Sequence, residues 1–220
     1  MSGWWLQNAW ETGGFVSVFT WVFWVIASIV LHELAHGWAA LWEGDQTPRE
    51  RGHLTINPWV HMGPFSLLAF AVMGIAWGLM PVDPSRFRHR RWGRLLVALA
   101  GPAMNVALAM VTIVAAGAAF AWAGTDDFGE NLRHFLYTGA WLNLLLAAFN
   151  LLPIPPLDGS VVLSSLSPQI AQFYRQPKAQ IIGLAGIVIL IYSGVFDVVL
   201  MALAKLTMWG VQSVAGVFGA

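Results

Sequence analysis

The pentapeptide HELAH at 32–36 holds two imidazoles and a carboxylate at a spacing that suits metal chemistry. On a helix, residues four apart lie one turn apart on the same face, so His32 and His36 can both reach one zinc ion. Glu33, beside the first histidine, can take a proton from water that the ion polarises. The bland alternative is three polar residues at a helix end. They lie in a long apolar run, however, where each ionisable group costs about 2–3 kcal/mol and normally faces a cavity or a partner. Chemistry is the stronger reading. Two histidines do not complete a zinc site, and a chain without cysteine must find its third ligand among His and carboxylates. Asp158, in NLLPIPPLDG at 150–159, is the candidate. Pro153, Pro155 and Pro156 break the preceding helix, and irregular backbone at membrane depth persists only where it lines protein or a watery cavity. Without HELAH, an ordinary loop aspartate would be preferred.

The elements that must carry these residues are apolar. Of 220 residues, 58% are hydrophobic and 10% charged, against about 25% charged in a soluble domain. Thirteen tryptophans fit the two headgroup zones of a bilayer. The composition predicts an all-α polytopic membrane protein, read as one domain over 1–220 with its core at about 15–205. Four crossings are expected, at 15–42, 95–122, 132–152 and 179–205. The shorter apolar run at 64–80 is expected to be re-entrant, and RGHLTIN at 51–57 alternates as a short β element would. The tail beyond 205 is weakly amphipathic and reads as interfacial. GPAMN at 101–105 lies among small residues that let membrane helices approach closely. Asn105 can then hydrogen-bond towards the histidine-bearing helix, with plain packing as the even alternative.

Charge sets the orientation. Arg49, Arg51, Arg86, Arg88, Arg90, Arg91, Arg94, Arg175 and Lys178 fall on one side of this threading, and only Arg133 and Lys205 on the other. The positive-inside rule makes the richer side cytoplasmic. Formal net charge is zero, and the expected partners are the lipid bilayer and a membrane protein, with no nucleic acid.

HELAH, GPAMN and NLLPIPPLDG, in this order, resemble the site-2 protease family of intramembrane zinc metalloproteases. The match extends to GHLTINPWVH and PVDPSRF, covers roughly 20–165, and looks closest to compact bacterial members without a PDZ domain. The resemblance implies one Zn2+ held by His32, His36 and Asp158, with Glu33 as the catalytic base. It further implies that Asn150 helps hold the substrate backbone and that substrates are membrane-spanning segments, cleaved in regulated proteolysis in a bacterial inner membrane. Two departures stand out: Gly63-Pro64 replaces the Asp-Pro that similar proteins place after NPxxH, and Gly78-Leu79 replaces their Lys-Pro. Neither is expected to touch the chemical residues, so both are expected to bear on substrate fit rather than on activity. The rival reading is a non-catalytic membrane-embedded binder that keeps the fold. Intact Glu33 and Asp158 argue against it, because a scaffold needs neither.

The motifs also force a topology. HELAH ends one helix and Asp158 follows the end of another, so one ion can bind both only if those ends share a side. The chain then crosses an even number of times between them, which 95–122 and 132–152 already supply. Cysteines introduced at Gln46 and Ser85 should therefore both resist a membrane-impermeant thiol reagent in intact cells. Labelling of Ser85→Cys alone would show that 64–80 spans.

Overall fold

The computed structural model describes residues 4–219, and among them every regular element is helical. Helix α1 (Trp5–Trp42) is apolar along most of its length and bends at Gly13 and Gly14, whose φ/ψ are non-helical. The expected start at 15 is therefore the start of its longer limb. After a one-turn helix α2 (Thr47–Glu50) comes α3 (Pro58–Met73), capped by the Asn57 side chain on the Trp59 amide at 3.0 Å. Gly63, with φ 66°, and Pro64, which has no N–H to donate, bend α3 near its start. Helices α4 (Arg90–Trp122) and α5 (Asp127–Asn150) follow, with Asp126 capping α5 through the Gly129 amide. Short helices α6 (Asp158–Leu166) and α7 (Pro168–Tyr174) lead to α8 (Pro177–Tyr192) and α9 (Val195–Val217).

Side-chain contacts give the directions. His32 and His36 on α1 meet Asn105 and Val97 on α4 in that order, so these two helices run antiparallel. Ser17 and Trp24 meet His134 and Gly139 on α5, so α1 and α5 run parallel. Helix α9 places Phe196, Leu200 and Ala204 beside Phe149, Trp141 and Tyr137 of α5. It runs antiparallel to α5 and parallel to α4. Lipid tails are as apolar as leucine, so close packing rather than water exclusion holds such helices together. Gly139 is that packing in miniature: any Cβ there would strike the Trp24 ring, whose indole N–H donates to the Phe135 carbonyl at 2.8 Å.

The run at 64–80 turns back. Residues beyond α3 return along it in extended form: Leu79 donates its amide to the His61 carbonyl at 2.9 Å, and Ser66 bonds both the amide and the carbonyl of Trp77. This out-and-back path has the form of the expected re-entrant hairpin, with one helical and one extended arm. Two expectations need correction. The alternating stretch at 51–57 forms no strand: it runs as turn and bend, with no ladder to a neighbour among the described residues. The apolar run at 179–205 is not one helix: it breaks at Ser193 and Gly194, and the tail continues as α9, packed on α4 through Gly117 and Val214. Among the described residues, three helices, α1, α4 and α9, are long and apolar enough to cross a membrane. Helix α5 has 24 residues, but its first turns carry Asp127, Glu130 and Arg133.

Beyond α1 the chain is tied by buried carboxylates. Asp45, fully buried, accepts from the Thr47 amide at 2.9 Å, from the Thr47 hydroxyl, and from the Asp83 amide at 2.6 Å. One side chain thus joins the exit of α1 to the end of the returning arm. Glu43 accepts from the His89 amide at 3.1 Å, where a carboxylate favours the N-terminus of α4. Nearby, the Ser85 hydroxyl and amide hold the exposed Asp83 carboxyl below the usual carboxylate range. Asp45→Ala strands two amides and a hydroxyl. It should lower stability in detergent by about 2–4 kcal/mol, from the cost of unmade buried hydrogen bonds to a charged group. Unfolding by SDS titration measures it, and an unchanged midpoint would contradict the tie.

Candidate metal centre

The site forms where α1, α4 and the start of α6 meet. His32 Nε2 and His36 Nε2 lie 3.0 Å apart, and Asp158 Oδ2 lies 3.1 Å from the first and 3.4 Å from the second. Local structure explains why these atoms converge. One turn of α1 separates the histidines. The loop at 151–157, which includes a cis bond between Pro155 and Pro156, ends where Asp158 opens α6. That loop is anchored at Pro153, whose carbonyl accepts from the Tyr174 hydroxyl at 2.6 Å, and at Pro155, whose carbonyl abuts Gly183. The far end of α6 is held as well: Arg91 donates to the Ser165 and Leu166 carbonyls at 2.8 and 3.1 Å.

Hydrogen bonding fixes which nitrogens are free. The Val97 carbonyl on α4 accepts from His36 Nδ1 at 2.6 Å. A carbonyl only accepts, so Nδ1 carries the proton and Nε2 of the neutral ring is a bare lone pair. His32 Nδ1 faces the Asn105 Oδ1 at 2.6 Å, also an acceptor. Both Nε2 atoms and a carboxylate oxygen thus present electron pairs to one another. Asp158 Oδ2 is buried with no hydrogen-bond donor. A metal ion bound among the three, or a proton on one Nε2, relieves such a cluster. Room for the ion exists: a Cβ at Gly101 would fall against Nε2 of both histidines. Two imidazoles and a carboxylate form a donor set that suits zinc with an open position. The three residues fit the ion.

A cavity of about 680 Å³ opens from this cluster, lined by Glu33, Trp77, Phe87, Phe149, Asn150 and Val161 among others. Glu33 is 8% exposed and points into the same space as the donors. Gly78 lies against it, so close that any Cβ would strike the carboxylate. The expectation that the Gly78 departure stays clear of the chemical residues is therefore wrong: the returning arm presses on the proposed base. Asn150 also lines the cavity and donates Nδ2 to its own helix at Leu146 O, 3.0 Å away. Asn105 bonds the histidine helix directly. Sequence reasoning passed over Asn143, which is fully buried and accepts from Asn105 Nδ2 at 2.9 Å. Its signal was present, since an amide within an apolar helix needs a partner.

The model of peptidase family M50, the site-2 protease family, matches residues 124–193. YwhC of Bacillus subtilis, provisionally named a zinc metalloprotease, is 37% identical over 147 residues, covering 66% of this chain and 67% of that protein. The chain belongs to peptidase family M50. Two further relatives match over part of their length. Rip2 of Mycobacterium tuberculosis, also provisionally named a zinc metalloprotease, is 33% identical over 63% of this chain and 53% of its own length. The zinc metalloprotease MJ0392 of Methanocaldococcus jannaschii is 26% identical over 66% of this chain and 35% of its own length. The chain thus spans about two thirds of the first relative, about half of the second and about a third of the third. No solved structure matches it. Membership makes this an integral membrane protein of a zinc metalloprotease family, and Zn2+ is the cofactor that its donor set fits.

Gly101→Ala tests the cradle. The methyl group takes the space beside both Nε2 atoms, so zinc per chain should fall to under about one tenth of wild type, more than the loss typical of a residue outside the ligand set. Metal analysis of the purified protein measures it. Full zinc in a folded Gly101→Ala protein would displace the ion from this position.

Proposed function

We propose that the chain hydrolyses peptide bonds within or near transmembrane segments of membrane-protein substrates, in a bacterial cell membrane, from a site towards the cytoplasmic face. The observation that carries this reading is the convergence of three lone-pair donors and Glu33 on one apolar-walled cavity. His32, His36 and Asp158 would hold the zinc ion, which when bound would supply Lewis acidity for a carbonyl and a lower pKa for water. Glu33 takes the proton of the attacking water and returns it to the leaving amine. Its carboxylate is kept in place by the backbone of Gly78 on one side. Asn150, with its Nδ2 engaged on its own helix, turns its Oδ1 to an incoming backbone amide.

A substrate helix hides its carbonyls in internal hydrogen bonds and must unwind before attack. The returning arm supports an extended pose better than 51–57 or the prolines of 153–156. Trp77 and Leu79 spend their amides on α3, so strand alternation turns the backbone of Gly78 and Met80 towards the cavity. An unwound segment can pair there as an added strand. In this reading the membrane is crossed four times, by α1, α4, α5 and α9, with α3 and its arm re-entrant. The basic residues around Arg49 and Arg86–Arg94 then lie in the cytoplasm. Cleavage in this position releases the cytoplasmic part of a substrate, as regulated intramembrane proteolysis requires.

The test is cleavage of a single-pass reporter by the reconstituted protein. Glu33→Gln should keep one zinc per chain and lose at least about 100-fold in rate, the scale of a lost general base. Asp158→Ala should lose most of the metal. Equal cleavage by wild type and Glu33→Gln would exclude this mechanism, and loss of zinc in Glu33→Gln would make Glu33 a ligand.

A further inference from the structure

A chain of three hydrogen bonds leaves the metal cluster and ends on backbone. His32 Nδ1 meets Asn105 Oδ1 at 2.6 Å, Asn105 Nδ2 donates to Asn143 Oδ1 at 2.9 Å, and Asn143 Nδ2 donates to the Gly139 carbonyl at 2.9 Å. Both amides are fully buried. An amide side chain can turn either end to a neighbour, so Asn105 by itself does not decide whether His32 donates or accepts. The Gly139 carbonyl decides it. That group only accepts, so Asn143 must turn its NH2 there and its oxygen towards α4. Asn105 must then offer its NH2 to Asn143 and its oxygen to His32. His32 in turn must carry its proton on Nδ1, which leaves the Nε2 lone pair facing His36 and Asp158.

We propose that Asn143 is a positioning residue: acting through Asn105, it sets the tautomer of His32 and keeps the Nε2 of that ring free for the metal. His36 reaches the same state in one step, through the Val97 carbonyl on α4. The two metal-facing histidines are thus polarised by different helices, His36 by α4 and His32 by α5. If Asn143 is removed, Asn105 is free to rotate its NH2 towards His32. The ring then accepts at Nδ1 and carries its proton on Nε2, where it cannot bind a metal. Such a residue acts on the ion while touching neither it nor a ligand. A packing asparagine, joining α4 to α5 as polar glue, would sit in the same place without this effect.

The inference rests on the zinc site proposed above, and the test separates the two. Zinc affinity is measured on the purified full chain in detergent, by competition with a chelator of known strength. Asn143→Leu should weaken zinc binding about 10- to 100-fold, the range for an outer partner of a metal-binding histidine. The same substitution is then made in an Asn105→Asp protein. A carboxylate at 105 can only accept, so His32 must donate whatever stands at 143, and Asn143→Leu should now cost less than about 3-fold, well below that range. Asn143→Ala, which adds no bulk, gives the same comparison if leucine prevents folding. Equal losses in both backgrounds would make Asn143 a packing residue and overturn the proposal. So would an unchanged affinity in the Asn143→Leu single variant. A wild-type chain with no zinc affinity would instead overturn the metal site, and this inference with it.

Discussion

Three electron-pair donors held 3.0–3.4 Å apart repel one another, and in an apolar surrounding little screens that repulsion. The cluster therefore exists only because helices hold it together and because a cation can enter it. Each donor is braced from behind: His36 by the Val97 carbonyl, His32 by an amide chain ending on Gly139, and Asp158 by a proline-broken loop tied to α7 and α8. Bracing of this kind orients ligands and raises their affinity for the ion. It also satisfies polar groups that hydrocarbon would otherwise leave bare.

Bringing those braces into reach requires close helix approach. The face of α4 turned to the histidines carries Val97, Ala98, Gly101 and Asn105, small except where a functional group is needed. At Gly93 and Gly101 a Cβ would strike Glu43 and the two imidazoles, so side-chain size sets the distance between α1 and α4. Thus GPAMN serves the site in two ways: Gly101 makes room and Asn105 bonds His32.

The same economy governs the cleft wall. The arm returning from α3 is not covered by a sheet, yet its backbone is partly paired through Ser66 and His61 on one side. Its lower end is fastened by Asp45, which also shapes the exit of α1. A single buried carboxylate therefore relates the end of the HELAH helix to the segment that presses on Glu33.

HELAH, GPAMN and NLLPIPPLDG were legible because their chemistry is local: imidazoles a turn apart, a small-residue turn, a carboxylate after a proline break. The apolar runs announced a helical membrane protein for the same reason, since every helix satisfies its own backbone within one segment. An even count of crossings between HELAH and Asp158 is what one shared ion would require of the sequence. What sequence did not determine depends on partners distant along the chain. Alternation at 51–57 does not make a strand, because a strand needs a neighbour that only the fold supplies. Continuous hydropathy through 179–205 hid the break at Ser193 and Gly194, since apolarity reports the surrounding medium and not the path of the backbone. Gly78 looked remote from Glu33, 45 positions away, until the returning arm brought them together. Asn143 was one amide in an apolar helix, and its direction of hydrogen bonding arises only from where α4, α5 and the Gly139 carbonyl meet. Residue type and spacing identify which groups can do chemistry, whereas the orientation of each group is a property of what packs behind it.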